Sequence, residues 1–520
     1  MQVTCARHDR NLQREGIPEA VNEYLDTQDP LRRITMADVL TELSQLIAGG
    51  LPVPEDTARS LLEALFGNRY HQRFSSQASI RDTLQAKLDV PFAGFIHPDN
   101  PTSGAYGGAS LIWFPTEDSG SIITFVVGTA GLSPDEGLLS RPGHRRRIHA
   151  LRRYLAKHGV WAWTKPDPTA LGVPVPHFVR RRLPNFKKAL ERYGNELYAV
   201  AEVPRDDFDV ARFVVQAFFD LYAFERGWPL LKAFEMEYHK LIDALRADLF
   251  ARIKEDEVYQ LLQDRRFVIL QGPPGTGKTR MADRIKRYFF NDHGMTVQFH
   301  PAVTYEDFII GLSPDTSERS LYFNVRRGWL LESAKAAQDK PFLLVIDEIN
   351  RADLGKVLGE AIYLFEPGEE IPRTVELPHV ANGETSFSLP RNLYVLGTMN
   401  TADRSIAPID LAIRRRFAFV TLFPDSDVIA KNSPRTAAKI FGALQDIFTE
   451  HAPDEVLNLL PGQSFFLADT EDELRQRFRF ELLPLLDEYL REGLVASFGA
   501  ELQAVRDQIE GFVNHGVWVE

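Results

Sequence analysis

Residues 267–279 read FVILQGPPGTGKT, an apolar run that breaks into glycine and proline and resumes with Lys278 and Thr279. The residues Gly272, Pro273, Pro274, Gly275, Thr276, Gly277, Lys278 and Thr279 satisfy the pattern G-x-x-x-x-G-K-[ST] in the strand-to-helix setting it requires. Its glycines allow a turn tight enough to aim backbone N–H groups at phosphate oxygens, and the helix that follows brings its positive end to the same place. Lys278 is then expected to reach the β- and γ-phosphates of a nucleotide, and Thr279 to offer its hydroxyl to magnesium. The competing reading, a Gly-Pro-rich turn before a helix, is disfavoured by the strand immediately upstream.

Downstream, PFLLVIDEINRAD (341–353) is a second buried run, and it ends in adjacent carboxylates. Neighbouring residues of a strand point to opposite sides, so Asp347 and Glu348 must serve different tasks. Asp347 is expected to hold the water shell of magnesium and Glu348 to act as general base on the attacking water. An N-cap for a helix starting near Asn350 or Ala352 is the structural alternative. A third run, NLYVLGT (392–398), leads into MNTADRS. Ligands of parallel α/β sheets lie beyond the carboxyl ends of the strands, so Asn400 is expected to sense the γ-phosphate or orient the water, with Asp403 and Arg404 extending the polar network. DLAIRRRF (410–417) then supplies Arg414, Arg415 and Arg416. These are candidates for an arginine donated to a neighbouring subunit's nucleotide. A run of arginine that merely complements a helix dipole is the alternative.

With TVQFH (296–300) and FAFVTL (417–422), the chain holds five compact apolar runs between helical segments. That pattern predicts an α/β fold, a parallel sheet flanked by helices over 255–425, with a helical lid over 426–520.

Taken together, GPPGTGKT, VQFHPAVTYEDFIIGLSP, LLVIDEINRADLGKVLGEAIYLFE and LPRNLYVLGTMNTADRSIAPIDLAIRRRFAF resemble an AAA+ P-loop module. Within that superfamily they resemble the McrB-type motor subunits of modification-dependent restriction and defence systems. FHPAVTYEDFIIG is similar to an insertion of that family, TVELPHVANGETSFSLP reads as a hairpin before the sensor strand, and GQSFFLADTEDELRQRFRFELLPLLDEYL resembles the family's lid, with Ser464 and Phe465 in its short motif. The resemblance implies hydrolysis of GTP or ATP with Mg2+, with GTP the family's habit. It also implies catalytic roles for Asn400 and Asp403, intersubunit and sensor roles for Arg415 or Arg416, a ring expected to be a hexamer, and a separate nuclease partner. The phosphate loop itself does not distinguish GTP from ATP, because it meets only phosphates.

The first half is organised differently. Residues 1–90 read as helical, 91–205 as a mixed α/β domain with strands such as ASLIWFP (109–115) and SIITFVVG (121–128), and 206–254 as a helical connector. The mixed domain clusters Arg145, Arg146, Arg147, Arg152 and Arg153, then Arg180, Arg181, Arg182, Lys187 and Lys188, although the whole chain carries a net charge of −12. Two readings stand. The regions Arg145–Arg153 and Arg180–Lys188, interleaved with Trp161, Trp163 and Phe178, grip DNA phosphates and stack on bases. Alternatively, they are solvated helix faces and Trp-Ala-Trp is core.

The composition bounds the remaining choices. The 520 residues are 44% hydrophobic and 25% charged, enough for two to four globular domains. No run approaches the ~18 apolar residues of a membrane span, and the N-terminus is too polar for a secretory signal, so a cytoplasmic protein without membrane contact is expected. The single cysteine, Cys5, rules out an intramolecular disulfide and a cysteine-rich zinc site. The rival function is a MoxR-like ATPase that remodels protein complexes, with the first half as protein adaptors.

Overall fold

Short apolar runs separated by Gly, Pro, Asp and Ser make hairpins, and in the first half they build an antiparallel sheet. The computed structural model describes residues 36–69, 79–84, 89–101, 103–228, 232–315, 322–366, 373–381, 384–401 and 409–518. Strands β1 (Ser79–Thr83), β2 (Phe92–Ile96), β3 (Ala109–Pro115), β4 (Ser121–Val127), β5 (Ala162–Thr164) and β6 (Leu197–Val203) run in the order β1-β2-β3-β4-β6-β5, each antiparallel to its neighbours. β3 and β4 are buried along their whole length, so both faces of the sheet are covered. On one face lie the helices Met36–Gly49 and Phe208–Glu225. Phe219 meets Phe95 edge-on at 5.4 Å there, and Phe218 stacks on Phe125 at 5.3 Å. The other face is closed by the short helical pieces His177–Arg182, Pro184–Phe186 and Lys187–Arg192, whose Val179, Leu183, Phe186 and Leu190 share a core with Ile112, Phe114, Ile122 and Val200.

The chain divides into two compact units: this one, which closes at Leu241, and a second that comprises Ile242–Glu520 with Arg141–Arg146. The boundaries expected at residues 90, 205 and 254 therefore do not separate packed bodies. The helix Met36–Gly49, read as part of an N-terminal region, and the helix Phe208–Glu225, read as part of a connector, are both packed on the same sheet.

In the second unit, β7 (Phe267–Gly272), β8 (Gly294–Gln298), β9 (Ile310–Asp315), β10 (Tyr322–Arg327), β11 (Phe342–Asp347), β12 (Val375–Ala381), β13 (Glu384–Phe387), β14 (Leu393–Asn400) and β15 (Ala418–Thr421) follow in chain order. All five apolar runs read from the sequence are strands of one parallel sheet, ordered β15-β7-β14-β11-β8. Alternate residues feed two cores. Ile269, Leu344, Ile346 and Val395 face one side, while Val268, Leu270, Leu343, Val345 and Leu396 face the other. This double burial is why the runs show no polar alternation.

The hairpin expected in TVELPHVANGETSFSLP is β12–β13, though its Asn382-Gly383 turn lies outside the described residues. A further hairpin, β9–β10, grows from the stretch read as an insertion. The lid has a core of its own, where Phe441, Leu444, Phe448, Phe466, Phe478, Leu486 and Phe512 meet.

Candidate nucleotide-binding site

The parallel register sets the site. Asn400 at the end of β14 pairs with Gly272 at the end of β7, and Asp347 at the end of β11 pairs with Gln298. Four strands thus finish at one edge with their polar residues together.

Gly275 and Gly277 hold φ of 80° and 84°, a left-handed conformation that glycine adopts without strain. The carbonyls of the phosphate loop are turned inward and satisfied. Gly272 O accepts from Thr401 N at 3.1 Å, Pro273 O from Thr276 Oγ1 at 3.0 Å, and Thr276 O from Gln463 Nε2 at 2.9 Å. Pro274 O and Gly275 O accept from Gly462 N and Ser464 N, both at 3.1 Å. The lid motif GQSFF therefore lies on the back of the loop. A Cβ at Gly462 would stand 2.1 Å from the carbonyl carbon of Gly275.

Lys278, 7% exposed, donates to Gly272 O at 3.1 Å and Pro273 O at 2.7 Å. Burial lowers its pKa to about 8, against the opposing pull of Asp347 and Glu348.

Hydroxyls tie the Asp347 carboxylate to the Glu348 backbone. Asp347 Oδ1 accepts from Thr279 Oγ1 at 2.8 Å and from Thr398 Oγ1 at 2.5 Å, and Thr398 Oγ1 in turn accepts from the Glu348 amide at 3.1 Å. Thr398, two residues before Asn400 on β14, was not singled out in the sequence, because a buried threonine within a strand gives no signal. Glu348 sits at φ 53°, ψ 45°, a costly conformation for a non-glycine residue and one that concentrates at functional sites. Its side chain pairs with Arg351. Glu348 holds the N-cap position of the short 3-10 helix Ile349–Arg351 but makes no side-chain cap bond there, and the next helix, Leu354–Leu358, is capped by Asp353, which accepts from Lys356 N at 3.2 Å.

Beside the loop opens a cleft of about 1360 Å³. Gly275–Met281 and Asn400 line one part of it, and Phe250, Arg252, Ile253, Phe423, Asp425, Asn432 and Leu467 line another. Asp347 reaches the cleft through Thr279. The stretch before residue 255, read as a motif-free connector, thus contributes a wall. Its Arg252 Nε lies 2.9 Å from Asp425 Oδ2, and Phe250 meets Phe423 edge-on at 5.4 Å.

The arginines are set apart from this cleft. Asp410 caps the helix Leu411–Arg416, with Oδ1 accepting from Ala412 N at 2.9 Å. Arg416 is buried and donates to Ala412 O, and Arg414 lies over the Phe419 ring at 5.2 Å. Arg415 is 67% exposed, 3.6 Å from Glu366 Oε2, a carboxylate that Arg373 also approaches at 3.2 Å. Asp403 and Arg404 lie outside the described residues.

Residues 267–417 match the family model described as AAA domain (dynein-related subfamily). The chain carries an AAA domain. Over 331 residues it is 29% identical to the EcoKMcrB subunit of a type IV methyl-directed restriction enzyme of Escherichia coli (strain K12), a match covering 58% of this chain and 71% of the relative. It is 26% identical over 266 residues to component YdiS of the type II restriction enzyme BsuMI of Bacillus subtilis (strain 168), covering 42% of this chain and 78% of that one. The McrB-type resemblance read from the motifs is borne out by these relatives. Among solved structures, a chain from Cytophaga hutchinsonii matches with a TM-score of 0.23 and 17% identity over 37% of this chain and 53% of that one, too loosely to carry an argument.

Of the basic residues in the first half, Arg146 and Arg147 are buried, so neither is available to a phosphate. Arg147 Nε lies 2.7 Å from Glu225 Oε1, with both side chains under 5% exposed. Trp163 is also core, as the alternative reading of Trp-Ala-Trp had it. Among the described residues, no helix is long and apolar enough to cross a membrane.

Proposed function

We propose that the chain is the nucleotide-hydrolysing motor subunit of a cytoplasmic restriction system, working as a ring with a separate nuclease and reading DNA through its first unit. The observation that carries this is the chain of hydrogen bonds from Thr279 through Asp347 and Thr398 to Glu348 beside the phosphate loop. Such a chain holds the Asp347 carboxylate at the cation position and fixes the backbone of Glu348, whose carboxylate, paired with Arg351, is the base of this reading. Thr279 and Asp347 supply the hard oxygen donors that suit Mg2+, which characteristically binds through one or two protein oxygens plus substrate phosphates. Bound there, the ion would neutralise charge on the phosphates.

In this reading the loop amides and Lys278 grip the phosphates, Asn400 orients the water, and Glu348 takes its proton. The base lies against Phe250, Ile253 and Leu467. Arg416 is buried, whereas Arg415, though near Glu366, is 67% exposed, which favours Arg415 as the arginine offered to a neighbour; Asp403 joins the same machinery. GTP is favoured by the resemblance of the motifs to McrB-type motors.

The test is hydrolysis of GTP and ATP side by side, with and without DNA. GTP turnover exceeding ATP turnover and rising with DNA is expected. Turnover of neither nucleotide would sink the enzymatic reading. Hydrolysis indifferent to DNA, with no DNA bound at low salt, would shift the function to protein remodelling.

A further inference from the structure

The cover of the antiparallel sheet contains a surface that folding does not explain. Residues 171–190 hold Arg180, Arg181, Arg182, Lys187 and Lys188 and not one Asp or Glu, in a chain whose net charge is −12. Three large apolar side chains of the same stretch are left in water: Leu171 at 48%, Val173 at 49% and Phe178 at 54% exposure.

Their neighbours are pinned inward. Val175 and Val179 are buried, Val175 N donates to Gly194 O at 2.9 Å, and Lys165 Nζ ties Ala170 O at 3.2 Å to Asn195 O at 2.8 Å. The loop is therefore held with Leu171 and Val173 outward while a core lies next to it.

The cations divide as well. Arg182 lies 3.5 Å from Glu202 and over the Trp161 ring, Lys187 is 3.7 Å from Glu191, and Lys188 is 3.2 Å from Asp89. Among the described residues, no ion pair joins Arg180 or Arg181 to a carboxylate, in contrast to Arg182, Lys187 and Lys188.

We propose that this face binds duplex DNA, with Arg180 and Arg181 on backbone phosphates and Phe178, flanked by Leu171 and Val173, wedged against a base step. Guanidinium groups suit phosphate geometry, and exposed apolar side chains beside arginine are the equipment of proteins that unstack and kink a duplex. A lipid surface is disfavoured, because interfacial binding needs an extended amphipathic helix and the piece His177–Arg182 has six residues. The inference deepens the DNA-reading half of the proposed function and rests on it.

The experiment titrates the full chain against a duplex containing 2-aminopurine over a range of salt, following anisotropy and base fluorescence. For R180A/R181A, the slope of log affinity against log salt should flatten by about 2, from ~0.9 per phosphate contact, and R180K/R181K should restore it. For F178A, affinity should fall about tenfold at an unchanged slope, with the fluorescence rise lost. DNA binding that all variants share with the parent would overturn this face and leave the DNA-reading function standing. A flattened slope without any fluorescence response in the parent would overturn the wedge. No DNA binding at low salt would overturn the face and the DNA-reading function together, while leaving hydrolysis untouched. Equal salt-dependent capture of phosphatidylserine vesicles would overturn the choice of DNA.

Discussion

The two sheets of this protein are both covered by helices, yet they treat polar residues in opposite ways. In the parallel sheet, β7, β11 and β14 all end at one edge, so Gly272, Asp347 and Asn400 converge without any special loop. In the antiparallel sheet, successive strands end at opposite edges and no single edge collects side chains. Charged groups there go into buried pairs such as Arg147–Glu225 and Arg226–Asp135, or onto the outer cover. Parallel strand direction gathers the polar strand ends of the second unit beside one cleft.

The comparison can be broken most forcefully at Glu348. E348Q should lower nucleotide hydrolysis by about 10²–10⁴ while nucleotide still binds, the range for loss of a positioned general base. Unchanged turnover in a phosphate-release assay would remove that residue from the chemistry. Next in size, R147A removes the guanidinium paired with Glu225 in the interior and should destabilise the first unit by roughly 3–5 kcal/mol, the range for deleting one partner of a buried ion pair. Denaturant unfolding would report it, and hydrolysis by the AAA domain should persist in the folded fraction.

A smaller effect is expected where the lid touches the loop. G462A places a methyl group against Gly275 and should cost about 1–3 kcal/mol as overpacking does, with a loss of nucleotide affinity. Calorimetric titration with nucleotide that matched the parent would show that the lid contact does not shape the loop.

The smallest effect sharpens the contrast through pH. Lys278 titrates near pH 8 in the folded unit, against 10.5 for an unburied lysine. Between those values the unfolded chain holds the proton that the folded chain has released, so this group makes stability rise with pH across the window. Nucleotide affinity should move the other way, weakening by up to about tenfold per unit above pH 8 as the ammonium is lost. Affinity independent of pH from 7 to 9.5 in the parent would contradict the placement of Lys278.

Much of the AAA domain was legible because each of its parts is local. The phosphate loop, the Asp347–Glu348 pair and the Asn400 strand end are contiguous strings whose geometry follows from strand, turn and helix. Thr398 was not legible, since its role exists only once β14 lies beside β11. The wall formed by Phe250, Arg252 and Ile253 was missed for the same reason: nothing in that stretch shows that it will line one cleft with Phe423 and Leu467. The first half was read into three pieces because its helices and strands alternate irregularly, and only packing showed that the helices before and after the strands cover the same sheet.

The sequence by itself determined the phosphate loop, the five strands, their parallel arrangement and the kinship to McrB-type motors, because hydrophobic runs and glycine placement act over a few neighbouring residues. Only the tertiary structure decided which arginines are spent inside the protein. Arg147 and Arg180 are chemically the same in the sequence, and burial beside Glu225 or exposure beside Phe178 separates them. A side chain's charge is fixed by its type, but its availability depends on partners brought from distant parts of the chain.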